Sequence, residues 1–147
     1  MKTSDNGKKL IKKYEGFSST LYLCPAKVPT IGYGATCYPN GKAVTLKDAP
    51  ITEKQADEML SFMLVKYENA VSRYVSVPLT QNQFDALVSF CYNVGQSNLL
   101  SSTLLKKLNN KDCKGASNEF LKWNKSCGKV LQGLANRRKD EREVFLK

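Results

Sequence analysis

Three residues near the N-terminus have types and a spacing that could do chemistry. Glu15 is followed nine residues later by Cys24, and Thr30 comes six residues after that, opening the run Thr-Ile-Gly-Tyr-Gly. A carboxylic acid can protonate the leaving oxygen of a glycosidic bond while a second polar group holds or activates water. Because a single glutamate is usually an exposed surface residue, it is the three residues together that indicate a site.

The acid in such a site must remain protonated near neutral pH, and burial against apolar groups is the usual way to achieve this. Tyr14 and Phe17 flank Glu15 and offer apolar side chains. The second carboxylate that glycosidases commonly use is missing from this stretch, since the nearest acid downstream is Asp48. We therefore predict Glu15 as the general acid, with the second function left to Cys24 and Thr30.

Cys24 could have one of several roles. A lone cysteine is usually a small buried hydrophobic residue, whereas an activated thiolate needs a positive neighbour or a helix N-terminus. Lys27 is close in sequence. The thiol could position water while neutral, act as a base when ionised, or attack the sugar directly. Direct attack is the least favoured of the three, because no base is recognisable beside the thiol.

Composition excludes several other kinds of chemistry. The five cysteines form no C-x-x-C pair and the chain has no histidine, so metal sites and Ser-His or Cys-His nucleophiles are not expected. We expect mostly reduced thiols, no metal and no cofactor. With 41% hydrophobic and 24% charged residues over 147 positions, the chain is typical of one soluble domain.

Charge and targeting signals narrow the choice of partner. The net charge of +10 suggests an anionic partner: nucleic acid, a membrane surface or an acidic polymer such as a bacterial cell wall. No concentrated basic recognition helix, RNP-like strand or zinc finger is visible, so nucleic acid is not expected as the partner. The polar N-terminus and the lack of long apolar runs predict a protein made in the cytoplasm, without an export signal or stable membrane insertion.

The pattern changes character near residue 50. Before it, we predict a helix over 5–15 ending at Gly16, then a small antiparallel sheet within 17–47. Its strand candidates are residues 18–23 and 29–33, followed by an Asn40-Gly41 turn leading into residues 42–46.

After residue 50 the periodicity is helical. Capping boxes at Thr52 and Thr80 predict a long helix followed by one that stops at Gly95. Further helices are predicted over 101–109, 112–123 and 133–146. The fold class is thus α+β: one domain over 1–147, with a β lobe of about 16–51 and a helical lobe of about 52–147. Helix 5–15 packs on the helical lobe, the long helix joins the lobes, and a ligand cleft is expected between them.

At this point the sequence resembles the phage-type lysozymes, the family 24 glycoside hydrolases that serve as bacteriophage endolysins. Their pattern of a Glu, eight residues, an Asp or Cys, five residues and a Thr matches Glu15, Cys24 and Thr30 without a gap. The resemblance covers nearly the whole chain and continues through residues 80–87, 92–95, 120–124 and 133–138. It implies a lysozyme-like fold.

The resemblance also implies roles for individual residues. Glu15 would be the general acid, Cys24 would hold or activate the attacking water where most members have Asp, and Thr30 would hydrogen-bond that water. The family's substrate contacts would fall on Tyr92, Asn93, Thr103 and Ser117. Either Arg137 or Arg138 would turn inward and orient Glu15, whereas the helix pattern alone favours a solvated, ion-paired face for both arginines. Two departures are Ala35, where the family often has His, and a longer stretch over residues 36–51.

The implied function is a muramidase that hydrolyses the β-1,4 bond between N-acetylmuramic acid and N-acetylglucosamine in peptidoglycan, lysing the host cell. We expect a monomer in which Cys24 positions water and the anomeric centre is inverted, and which needs a holin to reach the wall. The alternatives are a lytic transglycosylase acting on the same bond, a non-catalytic wall-binding relative and a basic nucleic-acid-binding protein. Cys24 and Thr30 favour hydrolysis over the transglycosylase because they could hold a water.

Overall fold

Helices dominate the computed structural model, which describes residues 1–147. In chain order the helices are α1 (Asp5–Glu15), α2 (Glu53–Tyr74), α3 (Gln81–Val94), α4 (Gln96–Ser101), α5 (Thr103–Asn109), α6 (Cys113–Glu119) and α7 (Gln132–Leu146). The strands are β1 (Ser18–Leu23), β2 (Pro29–Gly32), β3 (Lys125–Ser126) and β4 (Lys129–Val130). They form two separate two-stranded sheets, so the predicted α+β class is confirmed.

The first compact unit comprises residues 15–66. Strands β1 and β2 pair antiparallel in it with Tyr22 opposite Thr30, as the two strand predictions require. Its core is formed by Ile31, Ala35, Val44 and Met59. The unit reaches beyond residue 51, where the β lobe was predicted to end, because the first turns of α2 supply Met59 to this core.

The predicted third strand over residues 42–46 does not form. The Asn40-Gly41 turn is present, with Gly41 at a φ of 84°, but pairing beyond it is reduced to a single bridge between Cys37 and Ala43. The backbone N–H of Thr45 donates to the Asp48 carboxylate at 2.9 Å, so it is not available to a strand ladder. Local side-chain acceptors of this kind compete with sheet pairing.

The second compact unit comprises residues 1–14 and 67–147. Helix α3 packs against α7 in this unit, and its residues Phe84, Leu87 and Phe90 are buried. The ring of Phe90 meets the rings of Phe120 and Trp123 edge-on, at centroid distances of 5.3 and 5.5 Å. These contacts make Trp123 an aromatic anchor of the helical part of the chain.

The start of α1 is tied to α3 through Asp85, whose carboxylate accepts the backbone N–H of Ser4 at 3.0 Å. Gly7 lies against the same carboxylate, because a Cβ at this position would come within 2.6 Å of the Asp85 Cγ. Residues of this helix up to Tyr14 belong to the same compact unit as α3.

Most predicted helices are present, with revised ends. Helix α3 ends where Gly95 adopts a φ of 95°, as predicted, but the short helix α4 follows it and was not predicted. The predicted helix 112–123 is α6 followed by a 3-10 turn over Phe120–Lys122. The hairpin of β3 and β4 was also missed, because its strands have only two residues each. No helix has the length and apolar character needed to cross a membrane.

The capping boxes give a direct test of local stability. The N–H of Gln83 donates to the Thr80 hydroxyl at 3.1 Å, and the N–H of Thr80 donates to the Gln83 side chain at 3.0 Å. We expect Thr80→Ala to lower the free energy of unfolding by about 1 kcal/mol, because an orphan N–H loses its acceptor. Urea unfolding measures this change. Thr80→Ser keeps the hydroxyl and is the matched control; an equal loss in both variants would contradict the capping role.

Candidate active site

Glu15 is the last residue of α1 and is half-buried. The helix ends there because Gly16 takes a φ of 71°, a left-handed conformation that favours glycine. The chain then enters β1, where the ring of Phe17 packs on Tyr33 with centroids 5.6 Å apart. Glu15 is therefore the residue at which α1 ends, one residue before the left-handed Gly16, as the sequence predicted.

Cys24 begins the turn that joins β1 to β2. Its N–H donates to the carbonyl of Val28 at 3.2 Å, and the N–H of Lys27 donates to the Cys24 carbonyl at 2.7 Å. Lys27 takes a φ of 61°, which tightens the turn. Thr30 is buried, and its hydroxyl donates to the Val28 carbonyl at 2.9 Å. The turn thus brings Cys24 and Thr30 together.

The turn stabilises the anionic form of the sulfur. The pKa of the Cys24 thiol lies below its ordinary value, mainly because the backbone N–H of Val28 donates to the sulfur. Burial raises this pKa, but its effect is smaller. The N–H of Ala26 and the hydroxyl of Thr30 lower this pKa further. Hydrogen bonds to the charged form of an acid always act in this direction. The hydrogen-bond donors around the sulfur therefore suit an anion. An aspartate carboxylate in the same place would need donors of the same kind.

Thr30 can serve either protonation state of Cys24. Its one hydroxyl proton is directed at the Val28 carbonyl, which leaves the oxygen lone pairs available to accept from the neutral thiol or from a water. If Cys24 ionises, the Thr30 hydroxyl can turn and donate to the sulfur instead. The arrangement is therefore compatible with both water positioning and base catalysis.

Tyr22 is a member of this site that the sequence interpretation missed. It pairs directly with Thr30 in the sheet and lies two residues before Cys24, the first residue after β1. Burial raises the pKa of the Tyr22 hydroxyl, and the negative charges of Glu15 and Cys24 raise it further. The predicted pairing of residues 18–23 with 29–33, which includes Thr30, was the signal that could have identified it.

Tyr92 and Asn93 are the two residues before Val94, the last residue of α3, in the helical unit. The ring of Tyr92 meets the ring of Tyr67 edge-on at 5.1 Å. Asn93 is exposed, and together with Trp123 it lines a cleft of about 440 Å³. An exposed amide beside an aromatic ring suits a sugar, so their substrate contacts stay a prediction with structural support.

The other two predicted substrate residues differ from each other. Thr103 is exposed at the first position of α5, where its side chain is accessible to a ligand. Ser117 is fully buried, and its hydroxyl donates to the carbonyl of Lys114 at 2.6 Å. Because this helix-internal bond occupies the hydroxyl away from solvent, the placement of Ser117 does not support substrate binding.

Arg137 and Arg138 are both buried on α7. Glu141 accepts a hydrogen bond from the Arg137 Nε at 3.2 Å, and its Oε1 forms an ion pair with the Arg138 Nε at 2.8 Å. Burial raises the pKa of Glu141, and the two arginines oppose that rise. The expectation of a solvated face is therefore wrong for these two residues, because α7 turns them towards α3. An orienting action of either on Glu15 stays a prediction.

Together, the helical unit and a hairpin unit that holds an acid, a thiol and a hydroxyl define an α+β protein of lysozyme type. A family model described as Phage lysozyme matches residues 12–141. The chain belongs to the phage lysozyme family.

Several relatives agree with this assignment. The endolysin of Bacillus phage B103 is 43% identical over 146 residues, covering 99% of this chain and 54% of the relative. A protein of bacteriophage PS119 named SAR-endolysin is 35% identical over 132 residues, covering 90% of this chain and 76% of the relative. The chain spans about half the length of the Bacillus phage endolysins that it matches.

Solved structures give the same picture. The structure of a P22 lysozyme mutant superposes with a TM-score of 0.90 and 39% identity, covering 100% of this chain and 99% of that one. The muramidase domain of SpmX from Asticaccaulis excentricus has a TM-score of 0.88 and 36% identity, covering 99% and 98% of the two chains. The predicted lysozyme-like fold is confirmed.

The donors around the sulfur predict an acidic thiol. We expect the alkylation rate of Cys24 by iodoacetamide to rise with a midpoint pH lower in the folded protein than in the same chain in denaturant, because folding supplies the amide donors. Subtracting the rates of Cys24→Ser removes the contribution of the other four cysteines. Thr30→Val, which removes one donor, should raise the midpoint. An equal midpoint in folded and unfolded chains would refute the stabilisation.

Proposed function

We propose that this protein is a lysozyme that hydrolyses the β-1,4 bond between N-acetylmuramic acid and N-acetylglucosamine in bacterial peptidoglycan and so lyses a host cell. The observation that carries the proposal is the hairpin in residues 15–66, in which the Thr30 hydroxyl is within hydrogen-bonding reach of the Cys24 sulfur. The negative charges of Glu15 and Cys24 also act on Tyr22 in this unit. Membership of the phage lysozyme family supports the substrate class.

In the proposed reaction, Glu15 donates its proton to the glycosidic oxygen as the bond to the anomeric carbon breaks. A water held by Cys24 and Thr30 attacks that carbon from the opposite face, and its proton passes to the sulfur or to solvent. The product is then inverted at the anomeric carbon. Tyr22 adds a neutral hydrogen-bond donor to the site, and its raised pKa favours the protonated hydroxyl further.

The remaining residues have supporting roles in the proposal. Tyr92, Asn93 and Thr103 contact the glycan, and Arg137 or Arg138 orients Glu15. The net charge of +10 favours accumulation on the anionic cell envelope, an effect that weakens as salt rises.

The site of action in the proposal is the host cell wall, with peptidoglycan as the partner and the protein acting as a monomer. Passage across the membrane through a holin is one route. Similarity to a protein named SAR-endolysin supports a second route, in which secretion replaces the holin. Lysis timing after expression with and without a co-expressed holin separates the two.

A variant series tests the catalytic roles. We expect Glu15→Gln to lower the lysis rate of a peptidoglycan suspension by about 10²-fold or more, because the proton donor is lost. Cys24→Ser should lose part of the activity and Cys24→Asp should recover it, since a carboxylate accepts from the same amides. Thermal unfolding of each variant checks that the fold is intact.

The products of the same assay separate the alternatives. Hydrolysis gives fragments one water heavier than the anhydro-sugars of a lytic transglycosylase, and mass spectrometry measures the difference. An unchanged lysis rate in Glu15→Gln would show that Glu15 is not the general acid. A glycosyl adduct trapped on Cys24 and shown to turn over would indicate that Cys24 attacks the sugar directly instead of positioning water.

The pH dependence distinguishes a base from a water-positioning group. A base works only when deprotonated, so activity would fall as the pH drops through the lowered pKa of Cys24. In Cys24→Asp this fall should move to lower pH, because an aspartate ionises several pH units below a thiol. If neutral Cys24 only positions water, the decrease in activity at low pH should occur at the same pH in both proteins. Rate profiles of both proteins on one soluble glycan measure the difference.

A further inference from the structure

The side chain of Asn93 is held from inside the protein. The Nη2 of Arg138 donates to the Asn93 Oδ1 at 2.8 Å. A guanidinium has donors but no acceptor, so the atom that faces Arg138 must be the amide oxygen. The Nδ2 of Asn93 is consequently turned the other way, and its two hydrogens are directed away from Arg138.

Arg138 is in turn fixed by its surroundings. It is fully buried, with its Nε 2.8 Å from the Glu141 Oε1 one turn along α7. Its guanidinium carbon lies 5.1 Å from the centroid of the Phe90 ring, in the range of a cation–π contact. The Glu141 carboxylate also accepts the hydroxyl of Ser89, which belongs to α3. A charged group that is packed and paired in this way has one geometry.

The cleft beside Asn93 has a mixed polar and apolar lining, which includes Ser126. Lys125 and the indole of Trp123 line it with Asn93, as do Leu131 and Leu134. The nearby Asn98 uses its Nδ2 on the carbonyl of Val94. With its oxygen held by Arg138, Asn93 offers its N–H donors to the cleft that it lines.

We infer that Arg138 is a positioning residue that acts through Asn93: it fixes a hydrogen-bond donor in this cleft, which therefore selects substrate groups that present a carbonyl or carboxylate oxygen. The inference rests on the proposed function, because the glycan of peptidoglycan carries N-acetyl carbonyls and lactyl or peptide carboxylates. It differs from the predicted action on Glu15, since the atom that Arg138 orients is the amide of Asn93.

The first test changes Asn93 and leaves the interior intact. With a soluble peptidoglycan oligomer, Asn93→Ala should raise KM about tenfold, the effect of one lost hydrogen bond, with little change in kcat. Asn93→Asp has the same shape, but it presents an oxygen to the cleft and should raise KM at least as much. A wild-type KM in Asn93→Asp would show that the cleft needs no donor and would overturn the inference.

The second test changes Arg138. Arg138→Lys keeps the charge beside Glu141 but loses the fork that reaches Asn93, so KM should rise as it does in Asn93→Ala. In an Asn93→Ala background the same substitution should raise KM no further, because the two residues act through one hydrogen bond. KM effects that multiply in the double variant would indicate a purely structural role and overturn the inference.

A spectroscopic measurement covers the case in which Arg138→Lys fails to fold. In the wild-type protein, the NMR signals of the Asn93 side-chain amide should shift when the oligomer is added, and Asn93→Ala identifies these signals by their loss. Signals that remain unmoved at saturating oligomer would overturn the inference.

The choice of oligomer identifies the acceptor and separates the inference from the proposed function. An N-acetylglucosamine oligomer offers acetyl carbonyls without carboxylates, whereas a peptidoglycan oligomer offers both. If Asn93→Ala binds both oligomers more weakly, the group that Asn93 contacts is an acetyl carbonyl. If it binds only the peptidoglycan oligomer more weakly, that group is a carboxylate. Titration calorimetry in a Glu15→Gln background, with and without Asn93→Ala, measures binding without cleavage. Failure of the wild type to cleave would therefore reject the proposed function, whereas equal binding with and without Asn93→Ala would overturn the inference.

Discussion

The antiparallel register of β1 and β2 is the constraint on which the candidate site depends. With Tyr22 opposite Thr30, the turn over residues 24–28 closes at a length that puts the Cys24 sulfur against backbone N–H groups and the Thr30 hydroxyl. A slip of one residue would send each side chain to the other face of the sheet. The tight turn and the anchored end of β2 therefore set the chemistry of the thiol, and the left-handed Gly16 brings Glu15 to the start of the same sheet unit.

The helical unit is organised around a buried charge cluster. Glu141, Arg137 and Arg138 are withdrawn from water, and a buried charge is tolerated only when paired and hydrogen-bonded. Removal of one partner from a buried pair commonly costs about 3–5 kcal/mol, because the other charge is left without compensation. The same cluster reaches the surface at Asn93, so a group required for packing also fixes the polarity of an exposed side chain.

Local signals predicted most of the fold. The capping boxes at Thr52 and Thr80, and the glycine stops at positions 16 and 95, involve residues that are close in sequence, and each has its predicted partner or conformation. The third strand failed because Asp48 takes the Thr45 N–H that the ladder needed. Ser117 lost support as a substrate residue because sequence pattern does not report which face of a short helix is buried.

The sequence by itself determined the types and spacing of Glu15, Cys24 and Thr30, the helical and hairpin segments, and the membership of the family. These follow from interactions within a few residues and from a motif of fixed length. Only the tertiary structure decided that Tyr22 faces the acid and the thiol, that Arg138 lies inside the protein, and that its guanidinium holds Asn93, 45 positions away along the chain. The physical reason is that partners so far apart meet only when α7 packs on α3, and burial then allows a charge just one arrangement of donors and acceptors.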